Sequence, residues 1–215
     1  PGQVFLHILD WPADNRIFLR LENEVKRAYL LSDPKHALEV TTRRGGIELR
    51  LPAKAPHPLA SVVALDIVGD ARVAPTPPTE QAADGTVHLV AEDAEVLGNA
   101  ARLENLPQGN IGFWTDAGDI VQWTASIKHP GVFAVTVTSA CPDDNAGSRY
   151  ELRAGDTVIA GQVQATSGWA DYRQTRIGTL TIREPGKVTL RIKATTKPSS
   201  AVMNLRSITL TPVQR

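Results

Sequence analysis

The chain has 215 residues, a formal net charge of zero and one cysteine, Cys141. Zero net charge argues against nucleic acid or an anionic membrane as partner, since both select basic surfaces. No apolar run reaches the roughly eighteen residues of a membrane-spanning helix, and one cysteine cannot build an internal disulfide framework. Proline and glycine are frequent and well spread, helix-period segments are almost absent, and short alternating runs bounded by turn residues recur, which points to all-β sandwiches.

Pro1–Asp10 is too short, and lacks the basic flank, for a signal peptide. The chain begins almost inside a strand, as a piece of something longer would. Val4–Leu9 is the first predicted strand, and Pro12, which has no N–H for a ladder, stops it. Ile17, Leu19 and Leu21 alternate with Arg16, Arg20 and Glu22, so one face looks at water. Val25–Leu31 ends at Ser32-Asp33-Pro34. Leu38–Thr42 and Ile47–Leu51 flank a hairpin turn at Arg43-Arg44-Gly45-Gly46. Pro52–Pro58 is an irregular crossing, and Ser61–Val68 reads as a strand buried on both faces. Residues 1–72 thus form a small β-sandwich with a marginal core. Trp11 belongs to that core, while Lys26-Arg27 and Arg43-Arg44 are solvated faces.

Residues 73–85, VAPTPPTEQAADG, read as a proline-rich linker. The second domain, 86–215, opens with Val87–Ala91, followed by a loop at Gly98–Gly109. Ile111–Trp114 and Ile120–Ile127 are strands around the turn Asp116-Ala117-Gly118-Asp119. Val121, Trp123, Ala125 and Ile127 share a buried face. Phe113 and Trp114 are adjacent, so one of the two rings is expected to leave the core. Val132–Ser139 follows. Pro142–Gly147 is a polar loop, Tyr150–Ala154 and Val158–Val163 form a hairpin, Gly178–Ile182 joins Val188–Ala194, and Val202–Leu210 closes the chain. This spacing suits a two-sheet jelly roll.

Two resemblances sharpen this. Val4–Pro12, Val25–Asp33, Leu38–Val40 and Ile47–Ile67 together resemble the C-terminal β-sandwich, a Greek-key unit, of α-L-fucosidases of glycoside hydrolase family 29. In that family the sandwich follows a catalytic barrel, which has no counterpart here. The run Asn110–Trp123, NIGFWTDAGDIVQW, resembles jelly-roll carbohydrate-binding modules of families 6 and 35. Three further pieces fit in order: Val90-Ala91-Glu92-Asp93, Thr166–Tyr172 and Asn204–Ile208. Asn145–Ser148 and Met203–Arg206 are similar to modules appended to bacterial fucosidases and sulfatases.

Catalysis within these residues is not expected. Asp143 and Asp144 are ordinary turn formers, the five histidines are dispersed, and no nucleophile elbow, phosphate loop or metal-ligand spacing occurs. Cys141 reads as a small core or loop residue, with no basic partner to activate it. The second resemblance implies a cleft formed by Phe113, Trp169 and Asn204. Two rings can sandwich a pyranose through its C–H faces, and an amide offers donors and an acceptor to vicinal hydroxyls. Trp114 and Tyr172 are the stand-ins, since a one-residue shift would exchange the outward ring. The bland alternatives are a core role for Trp169 and a bulge or turn hydrogen bond for Asn204. Trp123 reads as core.

The resemblance also implies a structural calcium held by two acidic residues flanking the alanine of the opening strand and an aspartate near the closing asparagine. Here those positions are Val90, Glu92 and Arg206. Calcium takes six to eight oxygen ligands, so no metal or other cofactor is expected, and Glu92 and Arg206 should instead form an ion pair. As a whole the chain reads as a non-catalytic accessory region of a secreted or periplasmic bacterial α-L-fucosidase. Its expected partners are carbohydrate, with fucosylated glycans as candidates, and the parent's catalytic barrel. The alternative is a purely structural tail that stabilises the barrel without binding sugar.

Overall fold

A computed structural model describes residues 2–12, 14–43, 45–104 and 109–213. Nearly all its regular structure is strand, and no helix among the described residues is long and apolar enough to cross a membrane. The chain folds as two compact units, one ending at Pro77 and the other starting at Pro78.

Among its described residues the first unit has seven strands: β1 (Gln3–Ile8), β2 (Arg16–Leu19), β3 (Val25–Leu30), β4 (Asp33–Ala37), β5 (Glu39–Arg43), β6 (Gly46–Arg50) and β7 (Ser61–Ile67). They form a four-stranded sheet, β1-β7-β3-β4, and a three-stranded sheet, β2-β6-β5. Central β7 is buried along most of its length, as its unbroken apolar run requires. Its Val63 and Leu65 share one core with Ile8, Leu30, Ile47 and Leu49 from both sheets. β4 departs from the sequence expectation, in which Pro34 is a stop. It is an exposed edge strand, the one place in a sheet where a missing N–H is harmless. In the β5–β6 hairpin Arg43 pairs with Gly46 and Gly45 has φ 81°, whereas Arg44 of the expected turn lies outside the described residues.

Among its described residues the second unit has twelve strands: β8 (Thr79–Glu80), β9 (Val87–Val90), β10 (Glu95–Leu97), β11 (Arg102–Glu104), β12 (Asn110–Gly112), β13 (Ile120–Ile127), β14 (Gly131–Ala140), β15 (Arg149–Ala154), β16 (Thr157–Gln162), β17 (Arg173–Ile182), β18 (Gly186–Thr196) and β19 (Asn204–Pro212). One sheet runs β10-β13-β18-β15-β16 with β8 added to β13, and the other runs β11-β12-β19-β14-β17 with β9 added to β19. β13 alternates strictly, its Val121, Trp123, Ala125 and Ile127 buried in one core with Phe133, Val135 and Val137 of β14. Residues 105–108 of the expected Gly98–Gly109 loop lie outside the described residues.

The expected linker is largely not one. Thr79 and Glu80 pair in parallel with Ala125 and Ser126 of β13. Gln81 is buried, donates to the carbonyls of Gly85 (2.9 Å) and His129 (3.2 Å), and accepts the N–H groups of Lys128 (2.9 Å) and His129 (2.8 Å). Proline-rich composition concealed a segment that completes the second sandwich.

Candidate functional site

Loops and strand ends of the second unit converge on a cleft of about 400 Å³ lined by Glu104, Phe113, Thr115, Trp169, Ala201 and Asn204. Its volume is within the range of small-ligand sites. β12 ends at Gly112, and the next residue, Phe113, adopts φ 50°, a left-handed conformation costly for a bulky residue. That reversal decides which neighbouring ring leaves the core. Phe113 is 52% exposed, while Trp114 is 0% exposed and its carbonyl accepts the N–H of Val202 at 2.8 Å. The guanidinium of Arg102, on the neighbouring strand β11, lies 3.6 Å from the Phe113 ring centroid and restrains it.

Trp169 is carried by a loop that is braced at several points. Thr166 donates its N–H to the Cys141 carbonyl at 2.7 Å, and its hydroxyl accepts the Cys141 N–H at 3.0 Å. Asp171 accepts both the N–H (3.1 Å) and the hydroxyl (2.9 Å) of Ser167. Those bonds hold the Asp171 carboxyl below the usual carboxylate range. Asn204, at the start of β19, donates to the Trp169 carbonyl at 3.0 Å. The indole is 38% exposed at the cleft wall.

Over residues 91–212 the chain matches the family model described as carbohydrate binding module (family 6). It belongs to that family. Family membership gives the second unit a carbohydrate-binding role. A solved family 35 carbohydrate-binding module from Clostridium thermocellum shares the fold at 15% identity and TM-score 0.51, over 60% of this chain and 98% of that one. A family 6 module from Cellvibrio mixtus lichenase 5A, solved with cellotriose, is 21% identical over 60% of this chain and 98% of its own, with TM-score 0.48. An α-L-fucosidase from Vibrio sp. strain EJY3 aligns over 98% of this chain at 18% identity and TM-score 0.44; the chain spans 38% of that protein's length. No curated protein matches.

Within the module, the structure brings Phe113, Trp169 and Asn204 to one cleft; neither stand-in lines it, although Tyr172 is hydrogen-bonded to the Asn204 side chain. Trp114 is core. Tyr172 lines a separate groove of about 460 Å³ with His88, Glu92, Gln174 and Arg206. Its ring is covered by the Arg206 guanidinium, 3.4 Å from the centroid, and burial pushes its hydroxyl pKa up.

Glu92 and Arg206, expected to pair, both line that groove, and the contacts that fix them are with other groups. The turn Ala91–Asp93 directs Glu92 to the Gly109 N–H, which it accepts at 2.6 Å. Arg206 is the extra residue of a β-bulge: Thr138 pairs with Ser207 and Ser139 with Leu205. The bulge re-aims the side chain onto Tyr172. These residues do not fit calcium either. Val90 has no side-chain oxygen, Glu92 is committed to a backbone N–H, and the third position carries a stacked cation.

Two residues that shape the cleft escape the sequence reading. Glu104 falls in the predicted Gly98–Gly109 loop but ends β11 at the cleft floor. Asp119, a turn residue by its sequence context, is buried and accepts the N–H groups of Asn99 (3.0 Å), Ala100 (3.1 Å) and Ala101 (2.7 Å), tying down the approach to β11. The signal was present in Gly98: a Cβ there would lie 1.8 Å from Asp119 Oδ1.

Proposed function

We propose that the module holds a pyranose between Phe113 and Trp169, with Asn204 at the floor, and thereby carries an α-L-fucosidase to its glycan. What supports the binding reading is that two exposed aromatic rings line one cleft with an ordered amide between them. Rings placed in this way bury the apolar C–H faces of a sugar at little entropic cost. The attribution to a fucosidase rests on the sequence resemblance over residues 2–69, and with it stand a secreted or periplasmic location, a catalytic barrel as intramolecular partner and fucosylated glycans as targets. The chain itself is non-catalytic in this reading.

Tryptophan fluorescence titrated with a glycan panel that includes fucosylated oligosaccharides tests it. Saturable change in the wild type and none in Trp169→Ala is expected. No response at millimolar sugar would favour the structural-tail alternative, to which the exposed Phe5, Phe18 and Leu59 of the first unit lend some support. Release of p-nitrophenol from an aryl fucoside by the pure chain would overturn the non-catalytic reading.

A further inference from the structure

The polar floor of the cleft is one-sided. Glu104 ends β11 and Asn204 begins β19, and both reach over Gly112. A Cβ on that glycine would lie 2.1 Å from Glu104 Oε1 and 2.9 Å from Asn204 Oδ1. Only glycine leaves room for the two oxygens side by side. Glu104 Oε1 is fixed by an N–H of buried Asn110 at 3.0 Å. The Asn204 amide gives one N–H to the Trp169 carbonyl and is hydrogen-bonded to the Tyr172 hydroxyl. What both residues offer to the cleft is acceptor oxygen.

The carboxylate also has no direct ion-pair partner. Among the described residues Glu104 takes part in no ion pair. Arg102, two residues away on the same face of β11, is engaged on the Phe113 ring, and Arg206 is engaged on Tyr172. The Trp169 wall adds an aromatic face, the negative end of a ring quadrupole, whereas the Phe113 ring already carries the Arg102 guanidinium. A half-buried carboxylate with no ion-pair partner, beside the exposed Trp169 ring, is a place for a positive donor.

We infer that the cleft reads the charge of its sugar through Glu104: amino sugars with a free, protonated amine bind ahead of neutral sugars, and uronic and sulfated sugars are turned away. This rests on the sugar-binding reading proposed above and adds the substrate class. A neutral hydroxyl donates to either oxygen. An ammonium donates to Glu104 with charge assistance, which makes the bond about twice as strong as its neutral counterpart, and it gains further beside the Trp169 ring. A carboxylate or sulfate brings no donor and meets two acceptors, one of them of like charge.

The test is calorimetry on the intact chain with matched oligosaccharides that differ only in charge: neutral, 2-amino and 6-carboxyl forms on both gluco and galacto backbones. The amine form should bind about tenfold more tightly than the neutral one, and the carboxyl form should not bind measurably. Glu104→Gln retains an oxygen for Asn110 and should bring the amine form down to the neutral affinity; its thermal melt verifies folding. The wild-type ranking is informative whatever the variant does. An acidic form binding as well as its neutral counterpart, or an unchanged ranking in Glu104→Gln, overturns the charge inference while leaving sugar binding intact. Binding of none of these sugars overturns the charge inference, and the glycan panel with fucosylated oligosaccharides then decides sugar binding itself.

Discussion

The cleft and the groove beside Tyr172 both draw on β19, which gives Asn204 to one and Arg206 to the other. Each contains an aromatic ring from the segment 169–172, a carboxylate and residues near β12. They differ in what covers the ring. Trp169 keeps an exposed face and Asn204 grips its backbone, whereas Tyr172 lies under a guanidinium that a bulge has turned onto it. An aromatic residue at a sandwich end is thus not a sugar platform by virtue of its type. The strand position that decides its cover is two residues from the one that helps to build the cleft.

The same contrast occurs at smaller scale between Phe113 and Trp114, and there the largest effect is expected. Trp114→Ala should cost about 3–5 kcal/mol of stability, as emptying a fully buried aromatic site usually does, in urea unfolding. Phe113→Ala should cost under about 1 kcal/mol, as exposed positions do, and still lose sugar binding. Equal losses of stability would dissolve the distinction. For the pair Trp169 and Tyr172 the readout is affinity. Trp169→Ala should weaken binding by about 10- to 100-fold, the equivalent of the roughly 1.5–3 kcal/mol of a large buried side chain. Tyr172→Ala should change affinity by less than about fivefold, since it removes one hydrogen bond to Asn204 worth about 1 kcal/mol and no ring from the cleft. A large effect of Tyr172→Ala would make the two concavities one site.

Smaller effects probe how the cleft is held open. Phe113 sits in a left-handed backbone conformation that asparagine tolerates better. Phe113→Asn should therefore gain up to about 1 kcal/mol of stability while binding falls; a loss of stability would show that the ring itself holds the turn. Asp171 braces the Trp169 loop as a carboxylate. Its folded pKa is depressed by the Ser167 bonds, so its contribution is complete above the ordinary carboxylate value of about 4 and is lost as pH falls through the lower folded value. Sugar affinity should decline in that acid window, and Asp171→Asn should remove this part of the pH dependence. The smallest expected effect concerns the groove: calcium or a chelator should leave the melting temperature unchanged. A clear drop on chelation would mean that a cation site survives there.

Much of this was legible in the sequence where periodicity acts alone. The alternation of Val121, Trp123, Ala125 and Ile127 predicts both the strand and its buried face. That one of Phe113 and Trp114 leaves the core follows from the pleat. Which one does so was not legible, because it depends on a single left-handed residue that is not glycine. The fate of Tyr172 depends on a bulge in β19, and bulges leave no mark in a one-strand pattern. Glu104 was hidden because an acid near a loop looks like any other solvated acid; only its position above Gly112 gives it a role. β4 and β8 escaped for a shared reason: prolines in or beside them suggested breaks, whereas edge strands and two-residue parallel pairings tolerate proline well.

The buried Gln81 bears on how such a module could be moved between proteins. The family match begins at residue 91 and the first clear alternation at Val87, yet the side chain of Gln81 satisfies four backbone groups at the β13–β14 turn and at Gly85. A recombination event that cut at Thr86 would leave the Lys128 and His129 amides without these acceptors and uncover the edge of β13 at Ser126. A cut before Pro78 transfers a block that brings its own stopper. The heritable unit is therefore longer at its start than the recognisable one, and a graft planned from the recognisable boundary would inherit an open sheet edge.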